Sequence, residues 1–452
     1  MRKRLVYILL GITAILLATY FIRYKQASNF TDRIPATATA VININTRQLE
    51  HHLLIDLLTH PSSYIDFIPS IAEDSVEEES FSLTKGISIP KNILLYTEND
   101  ALEDTWLTSV FEIDDVEELS AYLLSEKFIK QQHGAIDVFK KGNISFAIKS
   151  KKLIISLNYK SEKDMLGKLE AIFNETNFLL TTAPLLKTIV NSKSDICFAS
   201  TEKNFLEANF KKGKLEVLGM LNSYSDLFTA NSQPKFPENS IAYISGKFNK
   251  KNSYFQKLLG SDNQRKFEEF THLSIDSIIS KWDGNFSVNL KSINHKIDSI
   301  ITYDYDDDFN KVEVISTQQI IVPDVNISLG KMPDNSLFHY FEQKNAIKII
   351  ATDSIFAAIP LYGFLASDKD KILEIYTIAT SEYQKRQSSK LSGHFNLASY
   401  LQNPLDMSLL SVDSTYKNFI NDISVALSNE NEFHLEINAI DSERSFLGQL
   451  IK

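Results

Sequence analysis

The sequence is poor in cysteine and glycine. Cys197 is the only cysteine among 452 residues, which excludes an internal disulfide, a cysteine-based metal cluster and a paired redox motif. Its apolar neighbours at 196–199 predict a buried, inert thiol. With only 14 glycines, the chain contains no glycine-rich phosphate loop and no Gly-x-Ser-x-Gly nucleophile elbow. The sequence therefore predicts no catalytic residue, no cofactor and no metal site.

Basic residues are outnumbered by acidic ones. The chain carries 47 Lys and Arg against 57 Asp and Glu, a formal net charge of −10. Nucleic acids bind surfaces of the opposite, positive sign. The charge balance therefore argues against a nucleic-acid partner.

The first 25 residues differ from the rest because they contain no Asp or Glu and include an uncharged run over 5–22. At 1.5 Å per residue this run would form a helix about 27 Å long, close to the thickness of the hydrocarbon core of a bilayer. It predicts one membrane-anchoring helix in contact with the lipid bilayer. The apolar residues assigned to the anchor are Leu5, Ile8, Leu9, Leu10, Ile12, Ile15, Leu16, Leu17, Phe21 and Ile22. The basic residues that flank it are Arg2, Lys3, Arg4, Arg23 and Lys25.

A cleaved signal peptide is the alternative to an anchor. Signal peptidase requires small residues shortly after the apolar run, but here Arg23, Tyr24 and Lys25 follow it. We therefore favour an uncleaved signal-anchor. The small excess of basic residues on the N-terminal side predicts a cytoplasmic N-terminus and an exported body, periplasmic at the inner membrane if the cell is Gram-negative.

The rest of the chain alternates strand and helix patterns. These predict an α+β fold, with an N-terminal transmembrane helix followed by two similar lobes of mainly antiparallel sheet with packed helices. The predicted divisions are an anchor at 1–25, a linker at 26–33, a first lobe at 34–230 and a second lobe at 237–452. Pro35 and Pro237 are each followed five residues later by Ala, then by a β-forming residue and Ile, which suggests an internal duplication.

Individual elements follow from periodicity and turn residues. The predicted helices lie at 47–59, 114–130, 161–173 and 368–384. The predicted strands lie at 34–45, 93–96, 106–113, 136–139, 144–148 and 153–157, with a hairpin-like pair at 346–360 and a further half-exposed strand at 282–290.

Two polar clusters invite a metal interpretation. His51, His52 and Asp56 lie in the first predicted helix and His60 follows it. The glutamate of a zinc-hydrolase helix is missing, so surface histidines are favoured. The run 304–308 (Asp-Tyr-Asp-Asp-Asp) opens like a calcium loop, but Phe309 stands where that loop needs glycine. A polar hairpin turn is the favoured interpretation, and weak surface calcium binding is the alternative.

Three segments together resemble membrane- or lipid-anchored envelope proteins of unknown function from the Bacteroidetes. They are the strand and helix over 34–58, the segment Gly-Ile-Ser-Ile-Pro-Lys-Asn-Ile-Leu-Leu-Tyr at 86–96, and the C-terminal stretch 433–450. The resemblance implies export, duplication and a non-enzymatic role. Many such proteins are lipoproteins, and this sequence departs from them because no cysteine follows its apolar run.

The favoured function is that of a single-pass envelope protein whose exported body binds or scaffolds another envelope component, either a protein or a glycan. A membrane-anchored hydrolase is one alternative, because distant carboxylates can converge in a fold without leaving a sequence motif. An accessory subunit of a membrane complex, assembled through residues 5–22, is the other.

Overall fold

The computed structural model describes residues 34–67, 86–87, 89–98, 106–158, 165–175, 177–180, 182–223, 225–235, 240–305, 309–333, 336–359, 362–369, 371–378, 384–402 and 419–451. The chain divides into two compact units. Unit 1 comprises Met1–Gly219 and Glu443–Lys452, and unit 2 comprises Met220–Ser442.

The described elements of unit 1 are mostly strands. These are β1 (Ala40–Ile44), β2 (Ile93–Thr97), β3 (Trp106–Glu112), β4 (Ile129–His133), β5 (Ile136–Lys141), β6 (Ile144–Lys149), β7 (Lys152–Asn158), β8 (Ile196–Ser200), β9 (Phe205–Lys211) and β10 (Lys214–Met220). The helices are α1 (Thr46–Thr59), α2 (Val116–Ser125), α3 (Met165–Phe173), α4 (Pro184–Asn191) and the C-terminal α10 (Phe446–Leu450), with a 3-10 helix at Pro61–Phe67.

Strand β1 lies inside the unit 1 sheet, antiparallel to β2 on one side and to β8 on the other. Beyond β2 follow β3, β7, β6, β5 and β4, and beyond β8 follow β9 and β10. The strand order is therefore β4-β5-β6-β7-β3-β2-β1-β8-β9-β10.

Helices cover both faces of this sheet at β7. Leu153 packs in one cluster with Leu119 of α2, whereas the next residue, Ile154, packs in another with Leu169 of α3 and Leu186 of α4. Successive side chains of a strand point to opposite faces, so the two clusters lie on opposite sides of the sheet.

Unit 2 is also built mainly from strands. These are β11 (Asn231–Lys235), β12 (Ala242–Lys247), β13 (Trp282–Tyr305), β14 (Lys311–Lys331), β15 (Ile347–Ile350), β16 (Asp353–Phe356), β17 (Leu365–Lys369), β18 (Ile372–Tyr376), β19 (Gln384–Ser389), β20 (Leu391–Asn396), β21 (Ile420–Leu427) and β22 (Glu432–Ala439). The helices are α5 (Ser253–Leu258), α6 (Ser261–Thr271), α7 (Ile275–Lys281), α8 (Ser336–Gln343) and α9 (Leu397–Gln402), with a 3-10 helix at Ser225–Leu227.

The two units have the same strand order. Strand β12 lies between β13 and β20, as β1 lies between β2 and β8. Beyond β13 follow β14, β18, β17, β16 and β15, and beyond β20 follow β21 and β22. The order β15-β16-β17-β18-β14-β13-β12-β20-β21-β22 thus matches that of unit 1 strand for strand, with β11 and β19 forming a separate pair.

The predicted α+β fold class is wrong. Antiparallel strands rather than helices dominate the described residues. None of the described helices is long and apolar enough to cross a membrane. The longest of them, α1, has 14 residues, whereas a membrane span needs about 20.

Most of the local predictions are confirmed. The structure has helices at α1 and α2 and strands at β1, β2, β3, β5, β6 and β7, and the hairpin within 346–360 is formed by β15 and β16. Two bounds differ from the prediction, because β1 begins only at Ala40 and α2 ends at Ser125, before β4. The helix predicted over 368–384 is wrong. That range contains β18 and parts of β17 and β19, because β18 fills the space between β14 and β17 in the sheet.

A buried ion pair fastens the C-terminal residues to α1 within unit 1. The Asp56 carboxylate, which is 2% exposed, accepts hydrogen bonds from Arg444 Nη2 at 3.0 Å, Tyr64 Oη at 2.7 Å and the Ser445 backbone N–H at 2.9 Å. Burial raises the pKa of Asp56, but these hydrogen bonds and the Arg444 charge outweigh it, so the pKa lies below its ordinary value. Asp56 is therefore held as a carboxylate.

We expect Arg444→Met to destabilise the protein by about 3–5 kcal/mol, because it leaves the Asp56 charge buried without its cation. The measurement is urea denaturation of the full chain at neutral pH. Lys140→Met, which removes a partly exposed cation from β5, is the control and should cost less than about 1 kcal/mol. An Arg444→Met variant as stable as the wild type would show that the pair contributes nothing.

Candidate functional site

The residues assigned to the membrane anchor and its basic flanks, from Arg2 to Lys25, all lie outside the described residues. Their placement, and the anchor itself, stay predictions from the sequence.

The predicted histidine cluster is divided between two carboxylates. His52 Nε2 lies 3.0 Å from Asp195 Oδ1, whereas His60 Nδ1 lies 3.3 Å from Asp56 Oδ1. Asp195 is 1% exposed and also accepts the Phe210 backbone N–H at 2.6 Å. The Asp56 and Asp195 carboxylates are therefore engaged by protein donors. A structural role explains them better than metal binding.

Cys197 is fully buried in β8. Burial raises the pKa of its thiol to about 11. The thiol is therefore protonated at neutral pH, and the prediction of a buried cysteine is confirmed.

The most conspicuous surface of unit 2 is a two-stranded arm, defined here as residues 294–305 of β13 with 311–322 of β14. The register runs without interruption from Asn294↔Val322 to Tyr305↔Lys311. At about 3.3 Å per residue, these strand segments are about 40 Å long. The corresponding strands of unit 1, β2 and β3, have only 5 and 7 residues. The sheet order common to both units is therefore completed without an arm.

One face of the arm exposes large apolar side chains. In an antiparallel pair, residues opposite one another share a face, so Ile301 and Ile315 lie side by side. Ile297 and Tyr303 are on the same face by strand alternation. All four are exposed, Ile297 by 73% and Ile315 by 69%. We call these four residues the apolar flank.

The end of the arm is acidic. The sequence over 304–308 contains four Asp, and Phe309 beyond it is 86% exposed with a positive φ of 61°. On the apolar flank, Lys311 Nζ lies 3.8 Å from the centroid of the Tyr303 ring. The strands on either side of 306–308 pair with one another, which is consistent with the predicted polar turn.

An open cleft of about 760 Å³ lies at the root of the arm, bordered mainly by the face opposite the apolar flank. The cleft residues of the arm are Asn294, Lys296, Asp298, Ile320, Ile321 and Val322, and the opposite wall is Tyr362, Gly363, Thr377 and Ile378. Its volume lies within the range of about 300–1,000 Å³ that is usual for ligand-binding pockets.

Thr377 holds the opposite wall against β14. Its hydroxyl donates a hydrogen bond to the Pro323 carbonyl at 2.6 Å and accepts one from the Val325 backbone N–H at 2.9 Å. The wall is therefore fixed where it meets the root of the arm.

The sequence predicts parts of this region but not the cleft. The strand predicted at 282–290 is present as the first part of β13, which extends to Tyr305. The cleft depends on residues such as Thr377, which lies 83 positions after Asn294, and no local pattern indicates that approach.

Comparisons with known proteins give no family. No protein-family model matches the sequence, and no curated protein matches it. The match to crystal form IV of TP0453 covers 41% of this chain and 80% of the TP0453 chain, with 8% identity and a TM-score of 0.26. The match to crystal form III of TP0453 covers 80% of this chain and 96% of the TP0453 chain, with 9% identity and a TM-score of 0.24. Likeness at this level supports no conclusion, and the resemblance to Bacteroidetes envelope proteins stays a prediction.

We expect the His52–Asp195 interaction to make stability depend on pH. The hydrogen bond to Asp195 raises the pKa of His52 above its ordinary value of 6.5, although burial opposes this. A raised pKa in the folded state stabilises the protein fully below pH 6.5, and this contribution is lost as the pH rises through the folded-state pKa.

His52→Gln should therefore destabilise the protein by about 1–2 kcal/mol near pH 5.5 and by less near pH 8.5. Urea denaturation at the two pH values measures the difference. The control is His51→Gln, which replaces the exposed neighbouring histidine and should cost less than about 0.5 kcal/mol. An equal loss at both pH values for His52→Gln would contradict the assignment.

Proposed function

We propose that this protein binds an envelope protein through the apolar flank of its arm. The observation that carries the proposal is the exposure of Ile297, Ile301, Tyr303 and Ile315 on an extension that the equivalent strands of unit 1 do not have. Exposed apolar surface that the fold does not require is typical of an interaction site.

The charge of the arm favours a protein partner over a lipid surface. The four Asp over 304–308 would be repelled by anionic headgroups and would be costly to bury in a bilayer. A protein groove with an apolar floor and basic residues near the arm's end would match both features. A glycan is less favoured, because the Lys311 ammonium occupies one face of the Tyr303 ring on which a sugar could stack.

An enzymatic function has weaker support in unit 1. A carboxylate-based hydrolase needs an acid and a base that are free to exchange protons with a substrate. Asp56 and Asp195 are buried and are each engaged by several protein donors. These two carboxylates therefore act as internal structural groups.

The test replaces residues of the apolar flank in the full chain. A photo-crosslinking amino acid at position 301 or 315 should give a discrete protein adduct in intact cells. A second set of chains carries the crosslinker at 303. In these chains the double substitution Ile301→Asp and Ile315→Asp should reduce the adduct by about tenfold or more. Each replaced isoleucine no longer contributes about 1.5–3 kcal/mol of apolar burial to binding.

Ile55→Asp is the matched control, since Ile55 is 45% exposed on α1 of unit 1, which is not part of the arm, and should leave the adduct unchanged. Crosslinks only to lipid, or adduct yields unaffected by the two flank substitutions, would contradict a protein-binding arm.

For the location, we propose that the apolar segment 5–22 attaches the protein to a membrane with the body exported. The support is the uncharged run and its basic flanks. Alkaline carbonate extraction should leave the protein in the membrane pellet, and protease added to spheroplasts should digest the body. Extraction into the supernatant, or protection from protease until the cells are lysed, would contradict attachment or export respectively.

A further inference from the structure

Helix α1 carries leucines on two sides. Leu49 and Leu53 are half-buried and lie on the same side as Asp56, which faces into unit 1. The opposite side, at 3.6 residues per turn, exposes Leu54 by 38%, Leu57 by 39% and Leu58 by 68%. We call these three residues the leucine patch. A helix that is apolar all round is usually buried all round, so the leucine patch is the side of α1 that a partner would cover.

The end of α1 that carries the leucine patch exposes no carboxylate. Residues 53–60 contain one acidic residue, Asp56, which is 2% exposed and paired with Arg444. Earlier on the patch side of the helix, Arg47 and Glu50 carry opposite charges. This side of α1 therefore has no net negative charge, in contrast to the four Asp over 304–308 at the end of the arm. Electrostatic repulsion from anionic lipid does not oppose its contact with a bilayer.

We propose that the leucine patch lies against the surface of the bilayer to which the protein is attached. In this position the apolar side of an interfacial helix enters the boundary between headgroups and acyl chains to a depth of about 5–10 Å. The proposal rests on the attachment through residues 5–22 proposed above. It adds that unit 1 contacts the membrane with one defined side of α1.

The chain between the apolar run and unit 1 is long enough for this contact. Residues 23–33 precede Ile34, the first described residue, and span at most about 36 Å. Helix α1 begins at Thr46, so its start lies within about 40 Å of Ile34. A short tether of this kind holds the body at a high effective concentration beside the bilayer, where a small apolar contact is sufficient to orient it.

The size of the leucine patch favours a bilayer over a second copy of the chain or another protein. A stable protein interface buries about 800 Å² on each partner and involves about 20–30 residues a side. The leucine patch offers three side chains on one side of a 14-residue helix. Such a contact is too small for a stable protein complex, but a body that is already tethered needs no more.

The experiment places an environment-sensitive fluorophore in the leucine patch of the full chain. Leu58→Cys provides the attachment point, because the native Cys197 is fully buried and should not react in the folded protein. The chain is reconstituted into vesicles of phosphatidylethanolamine and phosphatidylglycerol. The label should emit at a shorter wavelength than in water, and it should lose fluorescence when the vesicles contain lipid that is spin-labelled near its headgroup.

Leu124→Cys is the matched control. Leu124 is 52% exposed on α2 of unit 1, a helix that also carries Glu117 and Glu118 in its first turn. A fluorophore at this position should emit as it does in water and should not respond to the spin-labelled lipid. The wild-type chain, treated with the same reagent, shows how much label reaches Cys197.

Sedimentation of the vesicles separates this proposal from the proposed attachment. If the protein sediments with the vesicles but the label at 58 is quenched no more than the label at 124, the contact of α1 is overturned and the attachment stands. Protein left in the supernatant would overturn the attachment and the contact with it. An emission shift at 58 without quenching by lipid would assign the leucine patch to a second copy of the chain, which also overturns the proposal.

Charged substitutions test whether the leucines themselves make the contact. In the chain labelled at 58, Leu54→Asp with Leu57→Asp should reduce quenching by the spin-labelled lipid to the level measured at 124. The protein should still sediment with the vesicles, because residues 5–22 are unchanged. Circular dichroism checks that the substituted chain is folded, and the label at 58 in the otherwise native chain tests the proposal without these substitutions. Undiminished quenching in the folded, substituted chain would overturn the role of the leucine patch.

Discussion

The backbone ladder between β13 and β14 is the interaction on which the exposed surfaces of unit 2 depend. Near Ser287 and Ser328 both strands have a second neighbour, β12 and β18 respectively, and the ladder is one of several. From Asn294 to the end of the arm, the described strands β13 and β14 are paired with each other only. Because side chains alternate along each strand, this one register also sorts residues into two faces. Ile301 and Ile315 thereby share the apolar flank, and Lys296 and Ile320 share the cleft.

The common strand order of the two units separates what the fold requires from what has been added to it. In unit 1 the equivalent strands, β2 and β3, meet at Tyr96↔Thr108 and are no longer than their ladders with β1 and β7. In unit 2 the equivalent strands continue far beyond their other partners. A helix follows the third strand in both units, α2 in one and α8 in the other. The arm is therefore an elaboration of a common plan, and its side chains are free of the packing requirements that decide most positions in the sheet.

The sequence was sufficient for elements whose stabilising contacts are local, and insufficient where distant contacts decide. Helix α1 and strands such as β5 have periodic apolar residues and clear turn signals, so their patterns point to one structure. The residues of β18 have apolar side chains at Leu373 and Ile375 that suit a helix or a strand, and pairing with β14 decides between them. The ion pair between Asp56 and Arg444 joins residues 388 positions apart, a separation that no pattern in a single sequence can reveal.

An exposed two-stranded arm with isoleucines on its surface carries a risk of strand pairing between copies of the protein. Charged residues are interspersed on both faces, Glu313 and Lys311 beside the apolar flank and Asp298 and Asp304 on the other side. Such charges oppose edge-to-edge association, a common means by which natural sheets protect an open edge. The isoleucines themselves remain, although polar residues at their positions would have removed the risk of strand pairing without destabilising the sheet. Apolar residues retained among protective charges are best explained by a partner that matches both.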